Sequence, residues 1–375
     1  MERYVSNSIA GTNNNMILRG KERELHGRIF YRVADHDATE YVFSFDNAVD
    51  STFADGSESQ ANLPCAPYTV LSAFAGGYSG DPEAFDGVLT PLSFDGKPTK
   101  AVSPGEHYLC DPFEVDLKGQ TYLVFEWTVR GTVIPYTPDK LQPAFLFSGE
   151  TKEASAEFPQ PSLILCKRDV RMTFAFWGDS ITQGLQTPVD AYAYWAALIA
   201  DGLPKDIAFA DLGLGFARAK DAATLGVWFE KAKQFDFVNL CFGVNDLGAG
   251  KSSPEAVCEA LHTAVTALKE AGCRVGMFTV PPIGCLEKER TLVNDYIRQS
   301  LAPLCEYVYD VDPILSDPAH PGTPLYRLHP DPTGCRALAD DFLRKYAALF
   351  CEWPKFTPFC GNKTLTPGKI NDIIL

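Results

Sequence analysis

The chain has 375 residues, 46% of them hydrophobic, which is enough for two domains with cores of their own. Its formal net charge of -15 argues against nucleic acid and anionic membrane surfaces as partners, because both select basic proteins. A neutral sugar or ester is compatible with this charge.

The start of the chain and its cysteines indicate the cellular compartment in which we expect the protein. Residues 1–7 lack the apolar core of a signal peptide, and no apolar run is long enough to span a bilayer. The 11 cysteines are odd in number and include no C-x-x-C pair; Cys351 and Cys360 are the only close pair in the tail. Most, such as Cys166, Cys241 and Cys305, lie in apolar runs, which favours buried thiols over disulfides or zinc ligands. We therefore expect a cytoplasmic protein without a metal site.

Residues 1–165 are predicted to form an all-β accessory domain. Short alternating or apolar segments recur between turn-rich stretches, and no long helical pattern interrupts them. Such a series is typical of a β-sandwich or jelly roll. Residues 140–161, which contain several prolines, are interpreted as the connection to the second half of the chain. The predicted strands cover residues 28–33, 40–45, 68–75, 88–94, 108–115 and 121–129.

From Cys166 the pattern changes to alternating strands and helices. Five such units predict a parallel sheet covered by helices on both faces, over residues 166–350. Residues 351–375 are irregular and are expected to form a tail packed on the protein. The predicted strands cover 171–177, 207–212, 237–242, 274–280 and 307–311, and the predicted helices cover 192–201, 221–234, 254–271, 286–301 and 333–350.

Polar residues and glycines follow four of these strands. The first strand leads into Ser180, the second into Gly213 and Gly215, and the third into Asn245, while His329 lies beyond the fifth. Because the carboxyl ends of parallel strands share one edge of a sheet, these residues can meet in space.

This set of residues fits acyl transfer. A serine hydroxyl needs a neighbouring base, usually histidine, to act as a nucleophile. The tetrahedral intermediate needs N–H donors, and losing one typically costs about 3–4 kcal/mol of barrier. The backbone N–H of Ser180, a glycine N–H and the Asn245 amide can supply three donors. Taken alone, Asp179-Ser180 also fits a simple helix cap, so the hypothesis depends on the whole set.

Four sequence blocks resemble those of the GDSL, or SGNH, hydrolase family. The resemblance covers roughly residues 166–350 and implies a flavodoxin-like three-layer α/β/α fold with strand order 2-1-3-4-5. It also implies ester hydrolysis through an acyl-serine, and we expect no cofactor. By this resemblance Ser180 is the nucleophile, His329 the base, and Ser180, Gly215 and Asn245 form the oxyanion hole. The blocks are Gly178-Asp179-Ser180, the glycine turn after the second strand, Gly243-Val244-Asn245-Asp246 and His329-Pro330.

The first half of the chain resembles the β-sandwich domain that precedes the hydrolase domain in some secreted bacterial members of this family. The likeness lies in residues 89–97, 103–105 and 110–112. Two-domain members of this kind are often linked to carbohydrate esters, so the resemblance favours a carbohydrate substrate.

Two departures from the family pattern leave alternatives open. The family usually carries an aspartate three residues before the base, but this position is Tyr326. A backbone carbonyl could orient His329 in a Ser-His dyad, or an acid elsewhere could do so, namely Asp310, Asp312 or Asp331. Gly213 and Gly215 both fit the glycine donor, and Gly215 is favoured.

Other candidate residues have simpler interpretations. His320 follows Asp317 with the literal D-x-x-H spacing, but the segment is typical of a proline-rich surface loop. His36 is interpreted as part of an exposed turn rather than as a metal ligand, and His262 as packing or surface within a helix. The remaining expectations are that Asp179 caps the serine helix, that Asp246 braces the Asn245 loop, and that Tyr192, Tyr194 and Trp195 belong to the core.

The sequence thus predicts a serine esterase that acts on a small acyl group, with acetyl groups on carbohydrates as the favoured substrates. The expected partner is a small-molecule or oligosaccharide ester, and the sequence does not indicate an oligomeric state. The alternatives are a degenerate hydrolase that only binds carbohydrate, and a thioesterase or lipase of the same fold.

Overall fold

The first half of the chain consists of antiparallel strands. The computed structural model describes residues 3–14, 16–51, 61–138 and 141–351. The strands at Glu40–Asp46, Tyr68–Tyr78 and Tyr122–Tyr136 are rich in Val, Tyr and Phe, which suit a pleated and half-buried surface. Apart from one 3-10 turn at Pro82–Ala84, the elements described in this half are strands. They are β1 (Arg3–Ser6), β2 (Met16–Tyr31), β3 (Glu40–Asp46), β4 (Tyr68–Tyr78), β5 (Thr90–Pro91), β6 (Lys100–Val102), β7 (His107–Leu109), β8 (Phe113–Glu114), β9 (Tyr122–Tyr136), β10 (Ala144–Ser148), β11 (Thr151–Ala154) and β12 (Leu163–Arg168).

These strands form two sheets that pack face to face. One sheet has the order β1-β12-β3-β7, with β8 also on β3. The other has the order β11-β10-β2-β9-β4-β5, with β6 also on β4. Aromatic rings join the two: Phe45 of β3 stacks on Trp127 of β9 with ring centroids 4.9 Å apart. Phe43 meets Phe125 edge-on at the same centroid distance, so the core of this half is largely aromatic.

The interpretation of residues 140–161 as a connection is wrong. Strands β10 and β11 in this stretch pair with each other and extend the second sheet. Strand β12 then pairs with β1 and β3 as far as Arg168, beyond the predicted boundary at residue 165. The prolines that suggested a linker, Pro143, Pro159 and Pro161, lie outside the strands, where they need not donate to a ladder.

The second half contains a five-stranded parallel sheet with helices on both faces, and the predicted parallel sheet is thereby confirmed. Its order is β14-β13-β15-β16-β17. A short antiparallel pair, β18 and β19, follows it. The strands are β13 (Met172–Gly178), β14 (Ile207–Asp211), β15 (Phe237–Cys241), β16 (Arg274–Phe278), β17 (Tyr307–Tyr309), β18 (Ser316–Asp317) and β19 (His320–Pro324). The helices are α1 (Ser180–Gln183), α2 (Trp195–Gly202), α3 (Ala219–Ala222), α4 (Val227–Ala232), α5 (Val244–Leu247), α6 (Pro254–Glu270), α7 (Glu287–Tyr296), α8 (Asp312–Leu315) and α9 (Pro332–Cys351).

Strand β13 is buried on both faces, which explains its unbroken apolar sequence. Successive side chains of a strand point to opposite faces. Phe174 and Phe176 therefore pack in the cluster that contains residues of α2 and α9. Trp177 packs on the other side, where its ring meets that of Trp228 on α4. The sheet is thus the middle one of three layers.

Two predicted helices are shorter in the structure. The helix predicted over residues 221–234 is split into α3 and α4, because Leu225 has a φ of 54° and Gly226 precedes the first residue of α4. The helix predicted over residues 286–301 ends at Tyr296 and continues as a π-helical turn, Ile297–Leu301.

A buried segment without regular structure, residues 7–14, lies between the two halves; we call it the N-terminal segment. Toward the sandwich, the Asn7 N–H donates to the carbonyl of Ile164. Toward the parallel sheet, the carbonyl of Ile9 accepts a hydrogen bond from the Tyr194 hydroxyl. This segment therefore contributes to holding the halves together.

The ten cysteines in the described ranges are all free thiols. Cys166 and Cys241 are buried as predicted, while Cys305 is half-buried. Cys360 and the rest of the predicted tail after residue 351 lie outside the described residues. Among the helices that the structure describes, none is both long and apolar enough to cross a membrane.

Candidate active site

Ser180 is the first residue of α1, immediately beyond the carboxyl end of β13. Asp179 caps this helix as predicted, and its carboxylate accepts the N–H of Ile181 at 2.9 Å. Burial raises the pKa of Asp179 to about 7. A Cβ added at Gly178 would lie 2.0 Å from Thr182 Oγ1, so only glycine allows this tight turn from strand to helix.

The structure brings His329 to Ser180, although the two residues are 149 positions apart. Ser180 Oγ and His329 Nε2 are 2.8 Å apart. The histidine lies in the turn between β19 and α9, and the serine side chain is nearly enclosed, with 7% of the residue exposed. Burial lowers the pKa of His329 below its ordinary value of 6.5, because desolvation disfavours the imidazolium. The ring is therefore neutral at pH 7 and can accept a proton.

No acid among the described residues bonds to the other ring nitrogen of His329. His329 Nδ1 is buried and makes no hydrogen bond within the described ranges. Asp331, one candidate acid, instead accepts the N–H groups of Thr333 and Gly334 through Oδ1, both at 3.0 Å, at the start of α9. Its own N–H donates to the carbonyl of Tyr326. Asp331 is thus a helix cap and does not orient the imidazole.

The other two candidate acids are engaged by arginines. Asp312 pairs with Arg290, whose Nη1 lies 2.6 Å from its carboxylate. Asp310 pairs with Arg298 at 3.0 Å and accepts a hydrogen bond from Thr279. The structure therefore brings neither of them into hydrogen-bonding contact with His329.

The two candidate glycines differ in what their surroundings allow. The N–H of Gly213 donates to the Asp211 carboxylate at 2.7 Å, so it is already used. A Cβ added at Gly213 would also lie 2.3 Å from the backbone nitrogen of Gln183, one helical turn after Ser180. The loop after β14 and helix α1 thus approach each other closely at Gly213. Gly215 lies in the turn that follows and is buried; its role as a donor stays a prediction.

Asn245 lies on α5, beyond the third strand of the sheet, and one N–H of its side-chain amide donates to the carbonyl of Ala217 at 3.0 Å. The amide has a second N–H that this bond does not use. The neighbouring Asp246 accepts the N–H groups of Ala219 and Lys220, and burial raises its pKa to about 6. These bonds tie the loop after β15 to the loop after β14, which brings Asn245 and Gly215 to the same edge.

The sequence interpretation missed three contributors to this edge. Asp211 holds the N–H of Gly213, and only its position at the carboxyl end of a buried strand hinted at such a role. Phe216 and Leu328 adjoin Gly215 and His329 in sequence and are 37% and 42% exposed. The available sequence signal was that an apolar residue stands next to each of these two site residues.

The remaining candidates lie elsewhere. His320 is exposed and pairs with Asp317 at 3.0 Å, and Nδ1 of His262 lies within hydrogen-bonding distance, 3.1 Å, of the Tyr296 hydroxyl. His36 Nδ1 lies 3.2 Å from the carbonyl oxygen of Leu117. Within the described ranges, no three His, Cys, Asp or Glu side chains converge as metal ligands do.

The aromatic cluster before and within α2 is core, as predicted. Tyr194 and Trp195 are both buried, and Tyr192 is half-buried. The indole N–H of Trp195 donates to the carbonyl of Ile181 at 2.8 Å. This bond holds the helix that begins with Ser180 against α2.

A serine hydroxyl beside a neutral imidazole, at the carboxyl edge of a parallel sheet, is the arrangement found in serine hydrolases. Residues 176–337 match the model of the GDSL-like Lipase/Acylhydrolase family, and this part of the chain is a GDSL-type hydrolase domain. The resemblance predicted from the four sequence blocks is thereby confirmed over this part.

Several solved structures are similar to the chain at low identity. A family two carbohydrate esterase from Clostridium thermocellum, an active site mutant, is 11% identical, with 93% of this chain and 98% of that chain covered, at a TM-score of 0.40. A member of the lipolytic protein G-D-S-L family from Veillonella parvula is 18% identical, covering 46% and 96%, at 0.38. A carbohydrate esterase family 3 protein from Talaromyces cellulolyticus is 17% identical, covering 48% and 99%, at 0.37. No curated protein matches the chain.

Proposed function

We propose that the protein is a serine esterase that hydrolyses short-chain acyl esters, with Ser180 as nucleophile and His329 as base. The observation that carries the proposal is the 2.8 Å distance between Ser180 Oγ and His329 Nε2. The lowered pKa of His329 supports it, because a base must be neutral at the working pH.

In the first half-reaction, Ser180 Oγ attacks the carbonyl carbon of the ester while its proton passes to Nε2 of His329. The carbonyl oxygen becomes an oxyanion, for which we propose three donors: the Ser180 N–H, the Gly215 N–H and the Asn245 amide. When the bond to the alcohol oxygen breaks, the imidazolium returns its proton to that oxygen. The products are the free alcohol and an acyl-serine.

In the second half-reaction, His329 takes a proton from water as the water oxygen attacks the acyl carbon. The same donors stabilise the second oxyanion. As the bond to Ser180 Oγ breaks, the proton on Nε2 passes to the serine oxygen. The free carboxylic acid leaves, and the enzyme returns to its starting state.

We propose acetyl groups on carbohydrates as the natural substrates. The exposed side chains of Phe216 and Leu328 offer apolar surface beside the proposed oxyanion donor and base, and such surface suits a small acyl group or the apolar face of a sugar ring. The acidic chain, with its net charge of -15, favours neutral over anionic substrates. This choice can be tested by comparing two rates. One is acetate release from a panel of acetylated mono- and oligosaccharides, and the other is hydrolysis of longer acyl esters and thioesters.

The chemistry itself is tested with 4-nitrophenyl acetate. We expect hydrolysis by the wild type and a loss of about a thousandfold or more in kcat for Ser180→Ala. The circular dichroism spectrum and Tm of the variant should match the wild type, since the change removes one atom. Equal rates for the two proteins, or no hydrolysis by either, would overturn the proposal.

We also propose the division of labour between the parts of the chain. The half with the parallel sheet would carry the catalytic residues, and the sandwich half, whose last strand ends at Arg168, would be an accessory domain. Because the N-terminal segment bonds to both halves, the catalytic half expressed alone should lose stability and activity together.

The second candidate is a carbohydrate-binding protein with a degenerate hydrolase domain. The observation that favours it is the buried Nδ1 of His329, which has no orienting acid among the described residues. The two candidates are distinguished by acetylated oligosaccharides: binding without acetate release supports the second, and acetate release that depends on Ser180 excludes it.

A further inference from the structure

A cavity separate from Ser180 lies between the sandwich and the parallel sheet. Its volume is about 520 Å³, within the range of sites for small organic ligands, which often occur between domains. The loop after β2, the end of β12 and the N-terminal segment form one side, and α2, β14 and α9 form the other. None of Ser180, His329, Gly215 and Asn245 lines it.

The wall of this cavity carries more positive than negative side chains, although the whole chain is acidic. Four arginine and lysine residues line it, namely Arg32, Arg168, Lys205 and Arg336, together with His36. Within the described part of the chain, Asp201 is the one acidic residue on the wall. Each of the four also pairs with a carboxylate, that of Asp190, Asp35, Asp201 or Asp340. The cavity therefore offers cationic donors for which an anion would compete with these carboxylates.

Two of these basic side chains are held only weakly by the protein. Lys205 Nζ is 3.7 Å from Asp201, and Arg336 Nη1 is 3.7 Å from Asp340. Both side chains are well exposed, at 75% and 57%, and exposed pairs of this kind contribute little to stability. Each can therefore exchange its carboxylate partner for an anionic ligand at low cost.

Arg168 gives the cavity a buried donor that lacks an acceptor. Its side chain is nine-tenths buried. Nε pairs with Asp35 at 2.9 Å, and Nη2 donates to the carbonyl of Lys205 at 2.7 Å. The third nitrogen, Nη1, makes no hydrogen bond to any described residue. Leaving such a donor unsatisfied is costly, so an acceptor oxygen at this place would stabilise the protein.

Apolar side chains complete the wall. Val33, two residues beyond the sandwich strand β2, and Phe209, in the middle of β14, both line the cavity and are almost fully buried. A ligand that fills the space must therefore carry an uncharged body as well as an anionic group.

We propose that this cavity binds a small organic anion, with a carboxylate or phosphate group against Arg168, Lys205 and Arg336 and an uncharged body against Val33 and Phe209. Both groups offer the planar or tripodal oxygens that guanidinium groups bind in pairs. The ligand would contact both halves of the protein at once and would stabilise their packing.

Calorimetric titration of the full chain with phenyl phosphate and with 4-phenylbutyrate tests the proposal. Phenol and 4-phenylbutyramide serve as neutral counterparts of the same shape. We expect the anions to bind with a Kd below about 1 mM and to raise the Tm, and the neutral compounds to bind at least about tenfold more weakly. Binding should weaken at about 0.5 M salt, because exposed charges are then screened. The tighter of the two anions identifies the head group.

A double variant, Lys205→Ala with Arg336→Ala, probes the site without disturbing the fold, because both side chains are exposed. We expect it to weaken anion binding about tenfold or more. The control is Lys269→Ala, an exposed lysine on α6 outside the cavity, which should bind as the wild type does. Arg168→Met should abolish binding, with its Tm recorded to separate loss of binding from loss of fold.

Three results would overturn the proposal. One is the absence of anion binding by the wild type, and another is equal binding by the double variant and the control. The third is binding that disappears in Ser180→Ala, which would place the anion in the other site. The proposal of anion binding does not depend on esterase activity. If one of these two proposals fails, the other can still be tested.

Discussion

At the scale of single residues, His329 is held through one nitrogen only. Nε2 contacts Ser180, while Nδ1 is buried without an acceptor among the described residues. Tyr326 occupies the position of the usual acid, and its carbonyl accepts the N–H of Asp331. A Cβ at Gly334 would lie 2.5 Å from Cβ of Tyr326, so this position is used for packing at the start of α9. The proposed mechanism is therefore that of a dyad.

Replacement of His329 and of His320 distinguishes the proposed base from the histidine that has the D-x-x-H spacing. His329→Ala should lower kcat for 4-nitrophenyl acetate by about a thousandfold or more, because Ser180 then has no proton acceptor. His320→Ala should stay within about twofold of the wild type, because His320 is exposed and pairs only with Asp317. Steady-state kinetics of both variants tests the assignment. A larger loss of kcat in His320→Ala than in His329→Ala would contradict it.

The pH dependence of hydrolysis follows from the environment of His329. The base must be neutral, so kcat/KM should rise with pH through the pKa of His329 in the free enzyme and then level off. Burial lowers this pKa below 6.5, which places the acid limb below that pH. A pH–rate profile with full activity at pH 7, recorded where circular dichroism shows intact structure, supports this. A limb centred above pH 6.5 would contradict it.

At the scale of elements, the N-terminal segment reaches the loops that carry the proposed donors. A Cβ added at Gly11 would lie 3.0 Å from the carbonyl oxygen of Gly213 and 3.4 Å from Cγ of Gln183. These two residues belong to the loop after β14 and to the helix of Ser180. The first residues of the chain thus support the geometry of a site formed some 170 positions later in sequence.

Gly11→Val should disturb this support. The added carbons would push the Gly213 carbonyl and shift the turn that contains Gly215, so we expect kcat to fall about tenfold or more with a smaller change in KM. Thr12→Val is the matched control, because the Thr12 hydroxyl donates to Pro161 on the sandwich side. It should lower the Tm but leave kcat nearly unchanged. Equal losses of kcat in both variants at equal stability would show that Gly11 has no specific positioning role.

At the scale of the whole molecule, a buried charge cluster joins the two halves. Lys231 on α4 lies 3.0 Å from Asp46 of the sandwich and 2.7 Å from Asp50. All three side chains are almost completely buried. Burial alone would raise the pKa of Asp46, but Lys231 and His107 hold it well below its usual range. The ammonium group and the carboxylates that pair in this cluster therefore come from different halves of the protein.

Removal of the lysine should be strongly destabilising. Lys231→Met leaves two buried carboxylates without their cation, which typically costs about 3–5 kcal/mol of the free energy of unfolding. Lys233→Met, two positions away, removes an exposed pair with Glu230 and should cost about 1 kcal/mol or less. Urea unfolding of the three proteins measures the difference. Similar losses in the two variants would mean that the cluster does not couple the halves.

The amino-acid sequence by itself determined the kinds of elements and the residues available for chemistry. Apolar alternation indicated the strands, and the four blocks around Ser180, Gly215, Asn245 and His329 predicted one polar edge, because the carboxyl ends of parallel strands must meet.

Only the tertiary structure decided which groups bond to one another. It engaged the Gly213 N–H with Asp211, used Asp331 as a helix cap, and left His329 Nδ1 without an acid. It also turned the proline-containing stretch into strands and brought the N-terminal segment under the site. Hydrogen-bond partners and close approaches depend on packing between distant parts of the chain, and local sequence patterns do not encode that packing.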